Sequence, residues 1–318
     1  MLAPSVEALA PYDCLYVSPH ADDVAFSCAG RLLADQGRGL RTVVLGLFEG
    51  AGGESRPARD VAGALARVGA DYVVAGLPAA GTRDPFDASH RALADRRLPE
   101  DEAMLDQASR ILSEAALRTR ARHVYAPLGV GGHVDHRLAH DAGLRVFAGK
   151  PGLNVFFYEE RPEAFVPGAV RVRLGNLGAR LPPAAHRSAE RAGLARYVFR
   201  FPLAPALRGD FRGWTDRLRT AACAARQWRQ ARGWNPQKAF GPRFQPVVPA
   251  ASAEAIPALR EILLALAPPG ARTARFAERF SRLSAAYSRR LGAAPHGERY
   301  WLLLPDDAYV LPAAVGQE

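Results

Sequence analysis

Two clusters of histidine and aspartate stand far apart in the chain and carry side chains that bind metals. The first cluster, in the segment "PHADD", comprises His20, Asp22 and Asp23. The second cluster, in the segment "GGHVDHRLAH", comprises His133, Asp135, His136 and His140. A catalytic zinc site uses three imidazole or carboxylate ligands and leaves one position open. Zinc lowers the pKa of its water to about 7, so the clusters indicate metal-assisted attack of water on an amide or ester carbonyl.

The adjacent aspartates of the first cluster also have a simpler interpretation as helix caps, because acidic residues in a first turn complement the helix dipole. Capping does not explain a second cluster that follows another predicted strand. His20, Asp23 and one histidine of the second cluster supply a ligand set for zinc. Neighbouring residues at a helix start diverge by about 100°, so Asp22 can face the water as a general base.

Short apolar runs alternate with amphipathic segments in the first half of the chain. The runs that predict strands cover residues 14–18, 41–48, 71–78, 123–129 and 153–160. Segments such as "DVAGALARVGA" and "MLDQASRILSEAAL" carry apolar residues at helical spacing. Strands that alternate with helices predict an α/β fold with a mostly parallel sheet covered on both faces. Ligands bind outside the carboxyl ends of such strands, where both clusters fall.

The second half of the chain has a helical pattern. We expect an amphipathic helix in 211–233, whose apolar face comprises Trp214, Leu218, Ala221, Ala222, Ala225 and Trp228. Further helices are expected at 252–267 and 271–291, with a possible strand near 300–304. The segments "RLPPAAHR" and "RFQPVVPAA" read as surface loops or a subdomain boundary, and the isolated His186 and His296 as surface residues. The expected organisation is therefore a catalytic core over 1–180 and a mainly helical extension over 181–318, packed on the same domain.

The basic charge of the chain is concentrated in its middle. The net charge is +10, and residues 161–250 hold 17 Lys and Arg against four acids. This region is either a solvated basic face or an anion-binding surface. The chain has no signal peptide pattern and no apolar run long enough to span a membrane, which predicts a cytoplasmic protein. Three cysteines without CxxC spacing argue against a thiolate zinc site.

Both clusters, in this order, resemble the motifs of the LmbE-like, or PIG-L, family of zinc-dependent de-N-acetylases, which read P/A-H-P-D-D-E and H-x-D-H. The resemblance covers about residues 12–160, including "FYEE". It implies a Rossmann-like, mostly parallel sheet covered by helices, with a helical C-terminal embellishment. It also implies hydrolysis of an N-acyl group, usually N-acetyl, on an amino sugar or related metabolite.

The resemblance assigns roles to individual residues. The implied ligands of Zn²⁺, or of another divalent ion, are His20, Asp23 and His136. Asp22 is the implied general base, and His133 is a general acid or oxyanion stabiliser held by Asp135. Arg59 and Asp84 are weaker candidates for substrate contacts, because they follow the second and third predicted strands.

The sequence departs from the family pattern at three places. Ala21 replaces a proline, Val24 replaces a frequent glutamate, and "GVGG" precedes the second motif where some members place a tyrosine that polarises the carbonyl. None of these changes removes an implied ligand, so hydrolysis is still expected, and the substrate contacts are left open.

Two other functions compete with this interpretation. The same metal chemistry serves an amidase acting on a peptide-like or lipid-linked amide. Alternatively, the basic region could bind anions or nucleic acid without catalysis, with Trp214, Trp228 and Trp234 as stacking groups. The tryptophans fall at core-like helical spacing, which disfavours that function. The expected partner is a small N-acylated molecule, neutral or anionic, and no nucleic acid is expected. A dehydrogenase is disfavoured because no G-x-G-x-x-G follows a strand.

Overall fold

The predicted strands pair in one sheet that continues into the C-terminal half. A computed structural model describes residues 5–49, 58–83, 99–183, 185, 193–202, 214–249, 254–266, 272–293 and 295–305. Its strands are β1 (Cys14–Ser18), β2 (Thr42–Glu49), β3 (Ala70–Pro78), β4 (His123–Pro127), β5 (Asn154–Tyr158), β6 (Phe244–Val247) and β7 (Tyr300–Leu303). The order across the sheet is β3-β2-β1-β4-β5-β7-β6. β1 to β5 run parallel, whereas β7 is antiparallel to both of its neighbours, which confirms the predicted α/β class.

Helices cover the sheet. In the described residues they are α1 (Asp23–Ser27), α2 (Ala29–Gly37), α3 (Ala58–Ala66), α4 (Ala80–Arg83), α5 (Pro99–Thr119), α6 (Val134–Phe147), α7 (Ala169–Asn176), α8 (Leu194–Arg200), α9 (Trp214–Ala231), α10 (Ala255–Leu266) and α11 (Arg272–Leu291). None of them is long and apolar enough to cross a bilayer.

The central strands are buried on both faces. All five residues of β1 are buried. Tyr16, Tyr125 and Phe156 stand in register on β1, β4 and β5 and stack at centroid distances of 4.2 and 5.1 Å. Such an aromatic ladder fixes the register, because a slip of one residue would move these rings to the opposite face.

The strand order places the two clusters side by side. From β1 the sheet grows through β2 and β3 on one side and through β4 and β5 on the other. The connections leaving β1 and β4 therefore diverge and open a crevice at the carboxyl ends of these neighbouring strands. "PHADD" follows β1 and "GGHVDH" follows β4, so both segments border that crevice.

The helical segment after β1 is broken into two helices. The helix α1 ends at Ser27, and α2 begins at Ala29. The Glu298 carboxylate accepts hydrogen bonds from the main-chain N–H groups of Gly30 and Arg31 at 2.7 and 3.0 Å. Because Glu298 lies 268 positions after Gly30 in the chain, no local sequence pattern could predict this cap.

Two features of the C-terminal half, the strand β6 and the buried face of α9, differ from expectation. "RFQPVVPAA" contains β6 rather than only a loop, and its Pro246 is tolerated because β6 is the outer strand beside β7. The helix α9 buries Thr220, Ala224, Gln227 and Ala231 and leaves Leu218 60% exposed, so its predicted apolar face is wrong. Its many alanines make the periodicity a weak guide, since small side chains suit either face.

His296 is buried, contrary to the surface position predicted for it, whereas His186 lies outside the described residues. The two ring nitrogens of His296 contact Glu298 Oε1 at 3.0 Å and Ser284 Oγ at 3.4 Å. Glu298 thus joins His296 to the start of α2, and we read His296 as a structural histidine.

Candidate active site

The turn after β1 brings His20 and Asp23 together. The Ser18 hydroxyl accepts a hydrogen bond from the Val24 N–H at 3.2 Å and donates to the His20 carbonyl at 2.5 Å. The main-chain N–H of His20 in turn donates to Asp23 Oδ2 at 2.9 Å. These local bonds close the turn at the end of β1, so both side chains lie at the edge of the crevice.

The turn after β4 is held by Glu160, the last residue of "FYEE". Its buried carboxylate accepts hydrogen bonds from the N–H groups of Gly129 and Val130 at 2.5 and 3.0 Å. Gly131 and Gly132 then have φ of +92° and +78°, a conformation that other residues rarely adopt. The helix α6 starts directly after His133, which puts His136 inside its first turn.

Three potential ligand atoms form a nearly equilateral triangle. Asp23 Oδ2 lies 3.3 Å from His20 Nδ1 and 3.1 Å from His136 Nε2, and the two nitrogens are 3.3 Å apart. Ligands bound to tetrahedral zinc at about 2.0–2.1 Å are separated by about 3.3–3.4 Å. The donor types and the spacing of this triangle therefore fit one face of a zinc tetrahedron.

His133 is the nearest additional donor. One ring nitrogen from each of His20, His133 and His136 falls within 4.8 Å of the others, so a three-histidine set is also possible. The His133 Nδ1, however, accepts a hydrogen bond from the Asp135 N–H at 3.2 Å. Only its Nε2 is left to face the crevice. The set of His20, Asp23 and His136, with atoms 3.1–3.3 Å apart, is tighter than the three-histidine set, whose atoms lie within 4.8 Å.

Each ligand-type histidine is oriented by a second carboxylate. His20 Nε2 contacts Asp135 Oδ2 at 3.0 Å, and His136 Nδ1 contacts Glu160 Oε1 at 3.3 Å. A carboxylate on the far nitrogen of a metal-binding imidazole fixes the ring and its tautomer. Glu160 was missed as a site residue, although it stands at the end of a predicted strand on the ligand-binding edge.

The carboxylates create a strongly negative field at the triangle. Burial lowers the pKa of His136, but the charges and hydrogen bonds of Asp23 and Glu160 outweigh it and raise this pKa to about 10. Burial likewise lowers the pKa of His20, and its hydrogen bonds to Asp135 and Asp23 raise it to about 9. The field that favours protons on these rings also favours a divalent cation among them.

The pKa of His133 is shifted in the opposite direction from the pKa values of His20 and His136. Burial and then the neighbouring His20 charge hold the pKa of His133 well below its ordinary value. Since Nδ1 accepts a main-chain N–H, the neutral ring carries its proton on Nε2. The resulting Nε2–H is a hydrogen-bond donor whose orientation is set by the start of α6.

Asp135 contacts different groups from those expected. Its carboxylate meets His20, the Ala80 N–H at 2.9 Å and the Arg83 guanidinium at 2.8 Å. Its link to His133 runs through the main-chain N–H rather than the carboxylate. Asp135 therefore orients His20 directly, and Arg83, which the sequence did not single out, anchors Asp135.

Asp22 differs from its neighbour as the helix geometry predicts. It is only partly buried, whereas Asp23 is completely buried. Asp22 occupies the N-cap position of α1, but its side chain makes no capping hydrogen bond. Helix capping therefore does not account for this aspartate.

The other residues that the sequence singled out lie away from the triangle or outside the described part of the chain. Asp84 lies outside the described residues, and Arg59 belongs to the first turn of α3 but its side chain is outside the described part. His140 is buried away from the triangle, with Nδ1 2.9 Å from the Pro127 carbonyl. Trp228 and Trp234 pack against the core, which does not suit base stacking. The side chain of Trp214 is not described.

Replacing Glu160 by glutamine is expected to weaken zinc binding about tenfold to a hundredfold, the usual cost of losing a ligand-orienting partner. The amide would present an NH₂ group where the carboxylate now faces N–H donors and His136. Zinc affinity measured by competition with a chromogenic chelator tests this. The exposed Glu114→Gln, on α5, is the matched control, and equal affinities in both variants would contradict a role for Glu160.

The region that holds both clusters is similar to known proteins. Residues 15–147 match the family model described as "PIG-L: GlcNAc-PI de-N-acetylase". A 2'-N-acetylparomamine deacetylase from Streptomyces fradiae is 34% identical over 176 residues, which cover 50% of this chain and 60% of the relative. The matched part is thus less than two thirds of that relative.

Solved structures share the fold. A deacetylase from the biosynthesis pathway of teicoplanin matches 93% of this chain and 99% of its own, with a TM-score of 0.58 and 14% identity. The zinc-inhibited form of teicoplanin deacetylase gives a TM-score of 0.57 over the same shares, also at 14% identity. The part of the chain that resembles the PIG-L family model, residues 15–147, contains both histidine–aspartate clusters.

Proposed function

We propose that this protein is a zinc-dependent hydrolase that removes an N-acyl group, most often acetyl, from an amino sugar or a related small molecule. The observation that carries this proposal is the 3.1–3.3 Å triangle of Asp23, His20 and His136. The relative that deacetylates N-acetylparomamine supports the substrate class.

His20, Asp23 and His136 are the proposed ligands, and zinc is the proposed metal because their spacing fits its tetrahedral coordination. When bound, zinc acts as a Lewis acid that polarises the amide carbonyl and acidifies water. The protein's part is to hold the three ligand atoms in place, with Asp135 and Glu160 locking the two imidazole rings.

Asp22 is the proposed general base. Its position next to a ligand lets its carboxylate take a proton from the attacking water, while the fully buried Asp23 stays committed to the metal. His133 is assigned to the carbonyl oxygen, because its Nε2–H donor stabilises negative charge there without a proton transfer. A hydrogen bond from a main-chain N–H to Nδ1 disfavours the doubly protonated ring, so we prefer this role to that of a general acid.

The C-terminal residues are proposed to complete the same domain. We assign 1–180 to the catalytic core and 181–318 to an extension that packs on it and adds β6 and β7 to the sheet. Cys14, Cys28 and Cys223 are free thiols, which fits the reducing cytoplasm that we propose as the location.

Acetate release from a panel of N-acetylated amino sugars, together with elemental analysis, tests the function. We expect about one zinc per chain, hydrolysis that a chelator abolishes, and recovery on adding Zn²⁺. Protein that binds no divalent metal and releases no acetate would contradict the proposal. Release from peptide-like or lipid-linked amides, but from no sugar, would favour the amidase alternative.

A further inference from the structure

The residues on either side of Glu160 are charged and buried. Glu159 is 3% exposed and Arg161 is 1% exposed. Between them, Glu160 carries the carboxylate that contacts the His136 ring at 3.3 Å. A buried charge is unfavourable unless opposite charges and hydrogen bonds compensate for it. Both flanking side chains bind residues between 284 and 301, far along the chain from the proposed ligands.

Three donors from the C-terminal half hold the carboxylate of Glu159. Arg299 Nε and Trp301 Nε1 donate to its Oε1 at 2.6 and 2.8 Å. The hydroxyl of Tyr287, on α11, donates to Oε2. Burial raises the pKa of Glu159 and the Arg299 charge opposes this shift, so Arg299 is the main counter-charge of the carboxylate. Glu159 is thus fixed to α11 and to the start of β7.

Glu159 and Arg299 stand opposite each other just beyond the end of a strand pair. Tyr158, the last residue of β5, is in register with Tyr300, the first residue of the antiparallel β7. One further step along this register places Glu159 opposite Arg299, and opposite charges in such a pair stabilise it. The ion pair therefore fixes the main chain between β5 and Glu160, where the strand pairing has ended.

Arg161 is fixed to the same part of the chain. Its guanidinium donates to Ser284 Oγ at 3.2 Å and to the Gly297 carbonyl. Its main-chain N–H donates to the hydroxyl of Ser27, on α1, at 3.0 Å. Since α1 begins with the proposed ligand Asp23, Arg161 joins the C-terminal half to a helix of the site.

We infer that Arg299 is a positioning residue for the metal site, because it fixes Glu159 and thereby places the Glu160 carboxylate against His136. This inference rests on the proposed function, in which His136 is a zinc ligand. It assigns part of the metal site to the C-terminal half of the chain, although all three proposed ligands lie in the first half.

The Glu160 carboxylate has to meet three groups at once. Two are main-chain N–H groups of the loop between β4 and α6, at 2.5 and 3.0 Å, and the third is His136 Nδ1. Glu159 and Glu160 share a planar peptide group, so a shift at one residue moves the other. Hydrogen bonds weaken steeply away from their preferred geometry. Loss of the Arg299 anchor should therefore loosen the contact that orients His136.

The test is a double-mutant cycle on zinc affinity, measured by competition with a chromogenic chelator. Arg299→Met removes the charge and should weaken zinc binding about tenfold, as the loss of groups that support metal ligands does. In the Glu160→Gln background, the same substitution should change the affinity by less than about twofold, because the carboxylate through which Arg299 acts is already gone. Arg299→Lys should recover part of the loss, because it keeps a positive charge beside Glu159.

A second variant separates positioning from stability. Arg299→Met leaves a buried carboxylate unpaired, which destabilises the fold. The double variant Glu159→Met/Arg299→Met removes both charges and should fold, since apolar side chains often replace a buried ion pair without loss of stability. It should bind zinc as weakly as Arg299→Met, and again only where Glu160 is intact.

Arg31→Met is the matched control. Arg31 forms an ion pair with the buried Asp35 at 2.9 Å and lies over the Tyr125 ring, and none of these three residues belongs to the proposed site. Its loss should lower the thermal midpoint of unfolding and leave zinc affinity unchanged. The midpoint is recorded for every variant, so that a general loss of stability is distinguished from a loss of site geometry.

The outcomes separate the two proposals. Weaker zinc binding that depends on Glu160, with Arg31→Met at the wild-type affinity, supports the positioning role. Equal weakening in the wild-type and Glu160→Gln backgrounds would overturn it, because Arg299 would then act on the fold as a whole. Unchanged zinc affinity in the double variant would also overturn it while leaving the proposed function standing. Wild-type protein that binds no divalent metal would overturn the proposed function, and the positioning role with it.

Discussion

Asp22→Asn is expected to lower kcat by about a hundredfold to ten-thousandfold while leaving the zinc content unchanged, because the variant removes the proposed general base and none of the proposed ligands. The amide keeps the shape of the side chain but cannot accept a proton from water. Since Asp22 makes no capping hydrogen bond to α1, the helix should tolerate the change. Turnover of an N-acetylated amino sugar and zinc per chain are measured on the same preparation.

Asp23→Asn is the paired variant that makes this result decisive. Asp23 is completely buried, and its Oδ2 lies within 3.3 Å of both imidazole nitrogens of the triangle. Loss of its charge should therefore lower zinc content first and activity as a consequence. If Asp22→Asn lost zinc and Asp23→Asn kept it, the two roles would be reversed. If both variants stayed fully active, the catalytic assignment of this pair would be wrong.

His136→Ala is expected to abolish zinc binding at stoichiometric concentrations and all zinc-dependent hydrolysis. The substitution removes one corner of the triangle and leaves the Asp23 and Glu160 carboxylates facing each other without the imidazole between them. Two-coordinate sites retain zinc poorly, because three protein ligands are the usual minimum in catalytic sites. Zinc content after dialysis and the thermal midpoint of unfolding are both recorded, so that loss of metal is distinguished from loss of fold.

His140→Asn is the control for this prediction. His140 is a buried histidine of the same helix, and its Nδ1 lies 2.9 Å from the Pro127 carbonyl. The asparagine amide can place an N–H donor near the same carbonyl, so the variant should keep zinc. Equal zinc retention by His136→Ala and His140→Asn would exclude His136 as a ligand. Zinc loss in both, with unchanged unfolding midpoints, would point to the second cluster acting as a whole.

The strands and the two chemical clusters could be predicted from the sequence because their signals are local. Runs of β-branched and aromatic residues identify β1 to β5 within a few residues of their observed bounds. The carboxyl ends of parallel strands share one edge, so "PHADD" and "HVDH" were expected to meet there. Helix geometry alone predicts that the side chains of Asp22 and Asp23 point in different directions. In agreement with this, Asp22 is partly buried and Asp23 is buried.

The partners within the site were decided by tertiary structure. Residue types alone left open which histidine of the second cluster joins His20 and Asp23, and the resemblance, not the spacing, named His136. Glu160 and Arg83 gained their roles through contacts that cross 24 and 52 positions of the chain. Local periodicity says which face of an element is buried, but it does not say which distant side chain that face meets.

The C-terminal half shows the same division. The helices α10 and α11 follow from their apolar spacing, whereas the buried face of α9 and the edge strand β6 do not. Alanine and glutamine become interior residues in α9 only because α7, α8 and the loop between β4 and α6 supply a close fit and hydrogen-bond partners. The sequence by itself determined β1 to β5, most of the helices and the chemistry available at the ends of the strands. The tertiary structure decided which side chains converge, because convergence depends on long-range packing that no local pattern encodes.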